Sequence, residues 1–439
     1  MTGVASRLAG VPILLDLTPL RASPEYRRLY IGFTLAGVGG QLTVVAVGLQ
    51  VYGLTRSSFS VGLVGLFALV PIVVMGLYGG ALIDAHDRRA VALVASVVMW
   101  ISGILTALQS WLGNTSPMVL YLLVALNSAA FAVVSPARSA IYPRLLERHL
   151  LPAANALTVF AFNVALTVGP LLAGFLVAWR GYTWAYAVDV VLFTSALWGL
   201  FRLPPIPPGP HPELQRTGRR LGLQGLASVL DGLRFLGTRP NVRMTFLADF
   251  CAMILAMPRA LFPAVAALAF GGGAMTVGLM ASAIAVGSIV AMIFSGRLGH
   301  VRRQGLAVVV CVALWGASIS GFGLAVGSAG TLLTTSTALL VGALFLAGAG
   351  AADSVSAVFR TTILQAATPD HLRGRLQGVF IVVVAGGPRL GDLVSGSVAT
   401  ASSEAFAAVA GGIACVLAVA ALTAWQKGFL RYDALDPTP

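Results

Sequence analysis

Six charged side chains interrupt the long apolar runs of this sequence: Asp189, Asp249, Arg259, Asp353, Arg389 and Asp392. An ionisable group within a membrane span is costly to place there and is a functional candidate by default. The chemistry open to these residues is narrow. A buried carboxyl group can take up and release a proton near neutral pH. A guanidinium stays charged, so it can bind an anion or hold a carboxylate ionised. All five histidines, His86, His149, His211, His300 and His371, fall outside the apolar runs, so a proton path through them has to use carboxylates. Arg389 and Asp392 are three residues apart and therefore share a helix face; a structural lock and a proton-handling pair are equally open readings. Asp189 is expected near the outer end of a peripheral helix, in a structural role.

The apolar runs decide the class. The chain has 439 residues, of which 58% are hydrophobic and 10% charged, and its mean hydropathy is +0.90. A soluble domain carries about 25% charged residues. A helix needs about 20 apolar residues to cross a hydrocarbon core about 30 Å thick, and runs of that length recur along almost the whole chain. The expected fold class is an all-α polytopic membrane protein with twelve spans: 28–52, 59–83, 90–112, 117–137, 153–178, 183–201, 243–269, 274–297, 305–327, 332–358, 377–400 and 403–426. An even number leaves both termini on one side of the membrane.

A net charge of +13 would suit a nucleic-acid partner, but its distribution points elsewhere. Of the 28 basic residues, all but Arg56, Arg180, Arg259 and Arg389 fall in the tails and alternate loops. That asymmetry places both termini in the cytoplasm and sets the positive charge against anionic lipid; no nucleic-acid partner is expected. Residues 1–26 do not read as a cleaved signal peptide. Cys251, Cys311 and Cys415 occupy separate spans with neither metal-ligand nor redox spacing, so no metal site and no cofactor are expected. HExxH, a supported GxSxG and a phosphate-cradling glycine loop are all lacking, which argues against an enzyme and against ATP as the direct energy source. The expected oligomeric state is a monomer.

The chain matches itself at an offset of 216: Pro24 with Pro240, Arg27 with Arg243, Ala36 with Ala252, 61–63 with 277–279, and Gly80 with Gly296. Further along, Arg138 pairs with Arg360 at an offset of 222, and 169–172 with 387–390 at 218. The slip is about one helical turn. Two six-helix pseudo-repeats follow, with expected boundaries at 1–202 and 241–439. The intervening 203–240 is read as a cytoplasmic linker: a stiff "LPPIPPGPHP", then an amphipathic helix with apolar residues at 223, 226, 229, 230 and 233.

Between the second and third spans the sequence reads "GGALIDAHDRR", 79–89. Gly80, Asp84, Arg88 and Arg89 resemble the loop signature of the major facilitator superfamily; Ala85 and Asp87 depart from its fuller form. The second-half copy keeps Gly296 and Arg303 but has His300 in place of the aspartate. In the fifth span "ALTVGPLLAG", 165–174, is similar to the glycine–proline signature of superfamily antiporters at Gly169, Pro170, Ala173 and Gly174, with Ala165 where a glycine is usual. "LRASPEYRRLY", "LPPIPPGPHP", "GLRFLGTRP" and "SGRLGHVRRQGLA" resemble the enterobactin-exporter branch. The superfamily's fourth-span arginine motif is not clear here: Asn127 and Ser128 lie mid-span, and Arg138 lies near the cytoplasmic end.

The resemblance implies a proton-coupled exporter (an antiporter) of a siderophore or amphipathic drug, working by alternating access in the bacterial inner membrane. Its partners would be a small-molecule substrate, protons and membrane lipids. The superfamily plan runs spans 7 and 10 along the central cavity, which makes Asp249 and Asp353 the first candidates for proton coupling and Arg259 a fixed positive charge. Asp84 would meet the start of span 11 at "TPDHLRGRLQ" as a cytoplasmic gate. The fifth-span motif would be a hinge or seal between the halves. A lysophospholipid flippase of the same fold, and a macrolide or multidrug pump unrelated to iron, are the alternatives.

Overall fold

The computed structural model describes residues 16–207, 234, 236–293, 301–366 and 373–433, without the side chains of 77–81, 83–85, 365–366 and 373–385. The amphipathic stretch expected at 223–233 lies outside the described residues. Twelve helical passes make up the rest: α1 (Pro24–Thr55), α2 (Ser58–Ala85), α3 (Arg88–Trp111), α4 (Pro117–Leu145), α5 (Leu151–Arg180), α6 (Tyr182–Phe201), α7 (Pro240–Leu268, interrupted), α8 (Ala274–Ile293), α9 (Gln304–Ser328), α10 (Thr335–Ala366), α11 (Arg373–Ala401) and α12 (Glu404–Trp425). Eleven are long and apolar enough to cross a membrane by the composition of their described residues. The remaining pass, α11, has 29 residues, about 43 Å at 1.5 Å per residue, which is also enough. Odd-numbered helices run from the face that carries the termini to the far face, and even-numbered ones return.

Local chemistry sets where the helices begin. Ser23 accepts a hydrogen bond from the Tyr26 N–H at 3.1 Å, with Pro24 in the first turn. Ser57 and Ser403 do the same for Ser60 and Phe406. Such caps satisfy donors that the first turn leaves open. The α5–α6 turn passes through Gly181 at φ 84°, a conformation that favours glycine.

The two halves repeat one packing plan. In the first, α1 packs on α5 and α6, α2 on α4, and α3 on α4 and α6; in the second, α7 packs on α11 and α12, α8 on α10, and α9 on α10 and α12. Between the halves, α2 lies along α11 and α5 along α8.

Two expectations about the elements are corrected. The seventh span was expected as one helix over 243–269. Instead α7 runs as an α-helix from Pro240 to Phe250, a wider π turn over Cys251–Leu255, a break, a 3-10 turn over Arg259–Leu261, and an α-helix over Phe262–Leu268. Pro258 and Pro263 lack the N–H that a continuous ladder needs. The tenth span was expected to end at 358, but α10 continues to Ala366, which carries Arg360 into the helix. Hydropathy ends a span at its last apolar run, whereas a helix persists while its backbone bonds are made.

Each half also ends on a strap. After α6, Leu203 and Ile206 are buried in the first-half core; the Ile206 N–H donates to Asp87 Oδ2 at 2.6 Å, and the Arg88 N–H to the Ile206 carbonyl at 3.0 Å. After α12, Phe429 and Tyr432 are buried in the second-half core, and Asp433 forms an antiparallel bridge with Arg303.

Candidate functional site

Two of the six candidate charges meet a residue that hydropathy had set outside the membrane. Asp353 and Arg360 are seven residues apart on α10, two turns along one face. Arg360 Nη2 lies 3.1 Å from Asp353 Oδ1, and Arg360 Nη1 pairs with Asp249 Oδ1 on α7. Asp249 and Arg360 are 6% and 8% exposed, so the ion pair between α7 and α10 is shielded from water, whereas the Asp353 side chain is 34% exposed. A buried charge is tolerable only when it is paired and hydrogen-bonded, and the forked guanidinium serves two carboxylates at once. The signals that could have found Arg360 were its i+7 spacing from Asp353 and its match to Arg138.

The other candidates gather where α7 is broken. Asp392 Oδ1 on α11 accepts a hydrogen bond from the Ala260 N–H at 3.2 Å, satisfying a donor that the interrupted helix leaves open. Arg259, exposed at the break, lies within electrostatic reach of Asp353, Asp392 and Arg389. Around the α7 break and the bridge, Asp249, Asp353 and Asp392 thus stand with Arg259, Arg360 and Arg389, while Arg243, Arg373 and Arg375 lie toward the helix ends at the face that carries the termini.

In the first half the repeat is filled differently. The Arg138 guanidinium stands 4.8 Å from the ring centroid of Phe33. At the repeat offsets Arg138 corresponds to Arg360 and Phe33 to Asp249, so a cation–π contact occupies the place of the ion pair. Asp189 lies within the α1–α6 contact: Thr43 Oγ1 donates to its Oδ2 at 2.5 Å, and Gly39 packs against it. Asp189 is the eighth of the 20 residues of α6, in the half of that helix nearer the far face.

The fifth-span motif sits at helix crossings. A Cβ on Gly169 would lie 2.5 Å from Gln41 Cβ on α1, and one on Gly174 would lie 2.8 Å from the Ala274 carbonyl oxygen on α8. Pro170 and Ala173 are buried. From the other side, a Cβ on Gly278 would lie 2.5 Å from the Pro170 carbonyl oxygen. The second seam repeats this: the repeat mate of Gly278 is Gly62, where a Cβ would lie 2.5 Å from the Asp392 carbonyl oxygen, and Gly65 abuts Arg389 at 2.8 Å. Small residues permit such approach. Hydrogen bonds join the halves toward the far face: Ser282 Oγ to the Thr167 carbonyl at 2.8 Å, Ser58 Oγ to Glu404 at 3.1 Å, and the Phe59 N–H to Thr400 Oγ1 at 3.1 Å.

Of the loop signature, the surroundings of Gly80, the side chain of Asp84, all of Gly296 and His300, and the stretch 367–372 lie outside the described residues, so the expected contact between Asp84 and the start of α11 does too. Asp87, which in the sequence stood out only as a departure from the signature, caps α3 through the Ala90 N–H at 2.9 Å. Arg88 donates to the Ala140 carbonyl at 3.2 Å, and Arg89 to the Leu200 and Phe201 carbonyls at 3.2 and 2.6 Å. Cations at the last carbonyls of α6 are favourably placed against its dipole.

Comparison with known proteins gives the same picture. Residues 15–437 match the family described as transmembrane secretion effector. The enterobactin exporter EntS of Citrobacter koseri is 28% identical over 421 residues, covering 94% of this chain and 96% of that protein. Among solved structures, a POT family transporter in complex with 5-aminolevulinic acid superposes with a TM-score of 0.71 at 12% identity, covering 93% of this chain and 97% of the other. A bacterial homologue of the iron transporter ferroportin in an inward-facing state gives 0.64 at 14%, covering 92% and 98%.

Proposed function

We infer the function from one premise: the chain belongs to the transmembrane secretion effector family of major facilitator transporters. It is a multi-pass membrane transport protein. We propose that it is a proton-coupled exporter of a siderophore or comparable amphipathic molecule, working by alternating access. It would reside in the bacterial cytoplasmic membrane with both termini in the cytoplasm. The full-length similarity to enterobactin exporters supports export and makes catecholate siderophores the first substrates to try.

The observation that carries proton coupling is the buried bridge from Asp249 through Arg360 to Asp353. It ties α7 to α10 by charge. Protonating Asp249 removes the charge that faces Arg360 across the two helices and loosens that tie; deprotonation restores it, while Asp353, on the same helix as Arg360, competes for the guanidinium. A proton and a conformational change are then linked through one guanidinium, and Arg259 at the α7 break offers a positive charge to an anionic substrate. With the termini cytoplasmic, the far face, where Ser58 and Phe59 bond across the halves to Glu404 and Thr400, would be the outer one, and these contacts would hold it closed. Expulsion then requires the α2–α11 and α5–α8 seams to part.

Proteoliposomes with an imposed pH gradient test this reading. Inward accumulation of enterobactin is expected when the lumen is acidic, and Asp249→Asn should abolish the dependence on the gradient. Uptake indifferent to the gradient in the unmodified protein would overturn proton coupling.

A further inference from the structure

On the outside of the first half, away from the seams, α1 and α6 enclose a groove of about 410 Å³ at the face that carries the termini. Its floor is Gly32 and Ser195: a Cβ on Gly32 would lie 2.6 Å from the Ser195 carbonyl oxygen, so the helices touch there and nothing larger fits. Ile31 and Trp198 form its apolar walls and are 50% and 51% exposed, as expected of residues turned to acyl chains. At its rim stand Arg27 and Arg28 in the first two turns of α1, and among the described residues no acidic one lines it. Arg28 gives one nitrogen to Glu25 at 3.0 Å, while its buried Nε has no hydrogen-bond partner among the described residues.

We propose that this groove binds an anionic phospholipid from the leaflet on that face, independently of the transported substrate. Arg27 and the free edge of Arg28 would take the phosphate, and one acyl chain would lie between Ile31 and Trp198 over the glycine floor. The combination fits the interfacial layer, where basic pockets between helices hold anionic headgroups and tryptophan settles at the boundary. A free phosphate would satisfy the arginines equally but would leave the apolar walls without a role.

Native mass spectrometry on the full-length protein, supplied with phosphatidylglycerol or phosphatidylcholine, tests the assignment. Phosphatidylglycerol should be retained preferentially. Arg27→Gln, an exposed change that leaves the Arg28–Glu25 pair intact, should weaken retention about fivefold, the effect of one basic residue at an anionic surface. Trp198→Ser should weaken it as well, while Arg148→Gln, an exposed arginine on the same face outside the groove, should not. Three results would overturn the proposal: equal retention of both lipids, an equal loss with Arg148→Gln, or displacement of the lipid by inorganic phosphate, which would mark a simple anion site. Unchanged thermal unfolding of each variant in detergent separates loss of the site from loss of fold.

Discussion

Arg360 holds Asp249 in a place where water cannot screen it, so its removal should be felt first as instability. Arg360→Gln leaves the Asp249 carboxylate buried without its partner, and breaking a buried pair in this way costs about 3–5 kcal/mol. Thermal unfolding in detergent should show a marked drop, partly reversed when Asp249→Asn is added. Arg360→Lys should rescue poorly, because an ammonium is a point charge and cannot fork between two acceptors. Asp392 separates two roles by substitution. Asp392→Ala deprives the Ala260 N–H of its acceptor, a loss of about 1–3 kcal/mol, whereas Asp392→Asn retains an acceptor oxygen and should unfold near the native temperature. If the Asn variant transports normally, the carboxylate serves the backbone break alone. Asp249, Asp353 and Asp392 were visible in the sequence because charge is rare in apolar runs. Arg360 was not, because it lies two residues beyond the predicted end of its span and looked like one more arginine of a basic loop.

The helices themselves were legible to within a few residues except at the ends of α4 and α10, which run eight residues past the expected 137 and 358, since length and apolarity are dictated by the bilayer. What hydropathy could not convey was the break in α7, which turns on two prolines and on a carboxylate supplied by α11, 132 residues away in sequence. It also could not say which small residues lie at crossings, because Gly62 and Gly278 look no different in hydropathy from Gly76, around which a Cβ would meet nothing within 4 Å. The offset of 216 did carry that information, since Gly62 and Gly278 occupy matching places in two matching seams. Gly278→Val should drive a side chain into the Pro170 carbonyl and cost about 1–3 kcal/mol as overpacking. Its expected signature is slowed transport with the protein still folded, read in proteoliposomes; Gly76→Ala, facing open space, should behave as the native protein.

At the scale of the whole molecule, transport requires the sealed far face to open while the opposite face closes. Asp84 on the loop after α2 is proposed to stabilise that closing. Asp84→Asn should therefore slow turnover while leaving substrate affinity largely intact, as measured by export rate and equilibrium binding; a full rate would refute the gate. The straps bear on the molecule as an assembly. Ile206 is fastened to Asp87 and Arg88, and Asp433 to Arg303, so each half fastens its own trailing end to its own interior loop. A half closed in this way depends little on the covalent thread to its neighbour. The chain should therefore tolerate being made as two polypeptides, cut after residue 207 and resumed before 236, that find each other in the membrane through the two glycine seams. Co-purification of the pieces and recovered export would show that the linker joins two units already complete, and failure of either piece to insert alone would show that it does more.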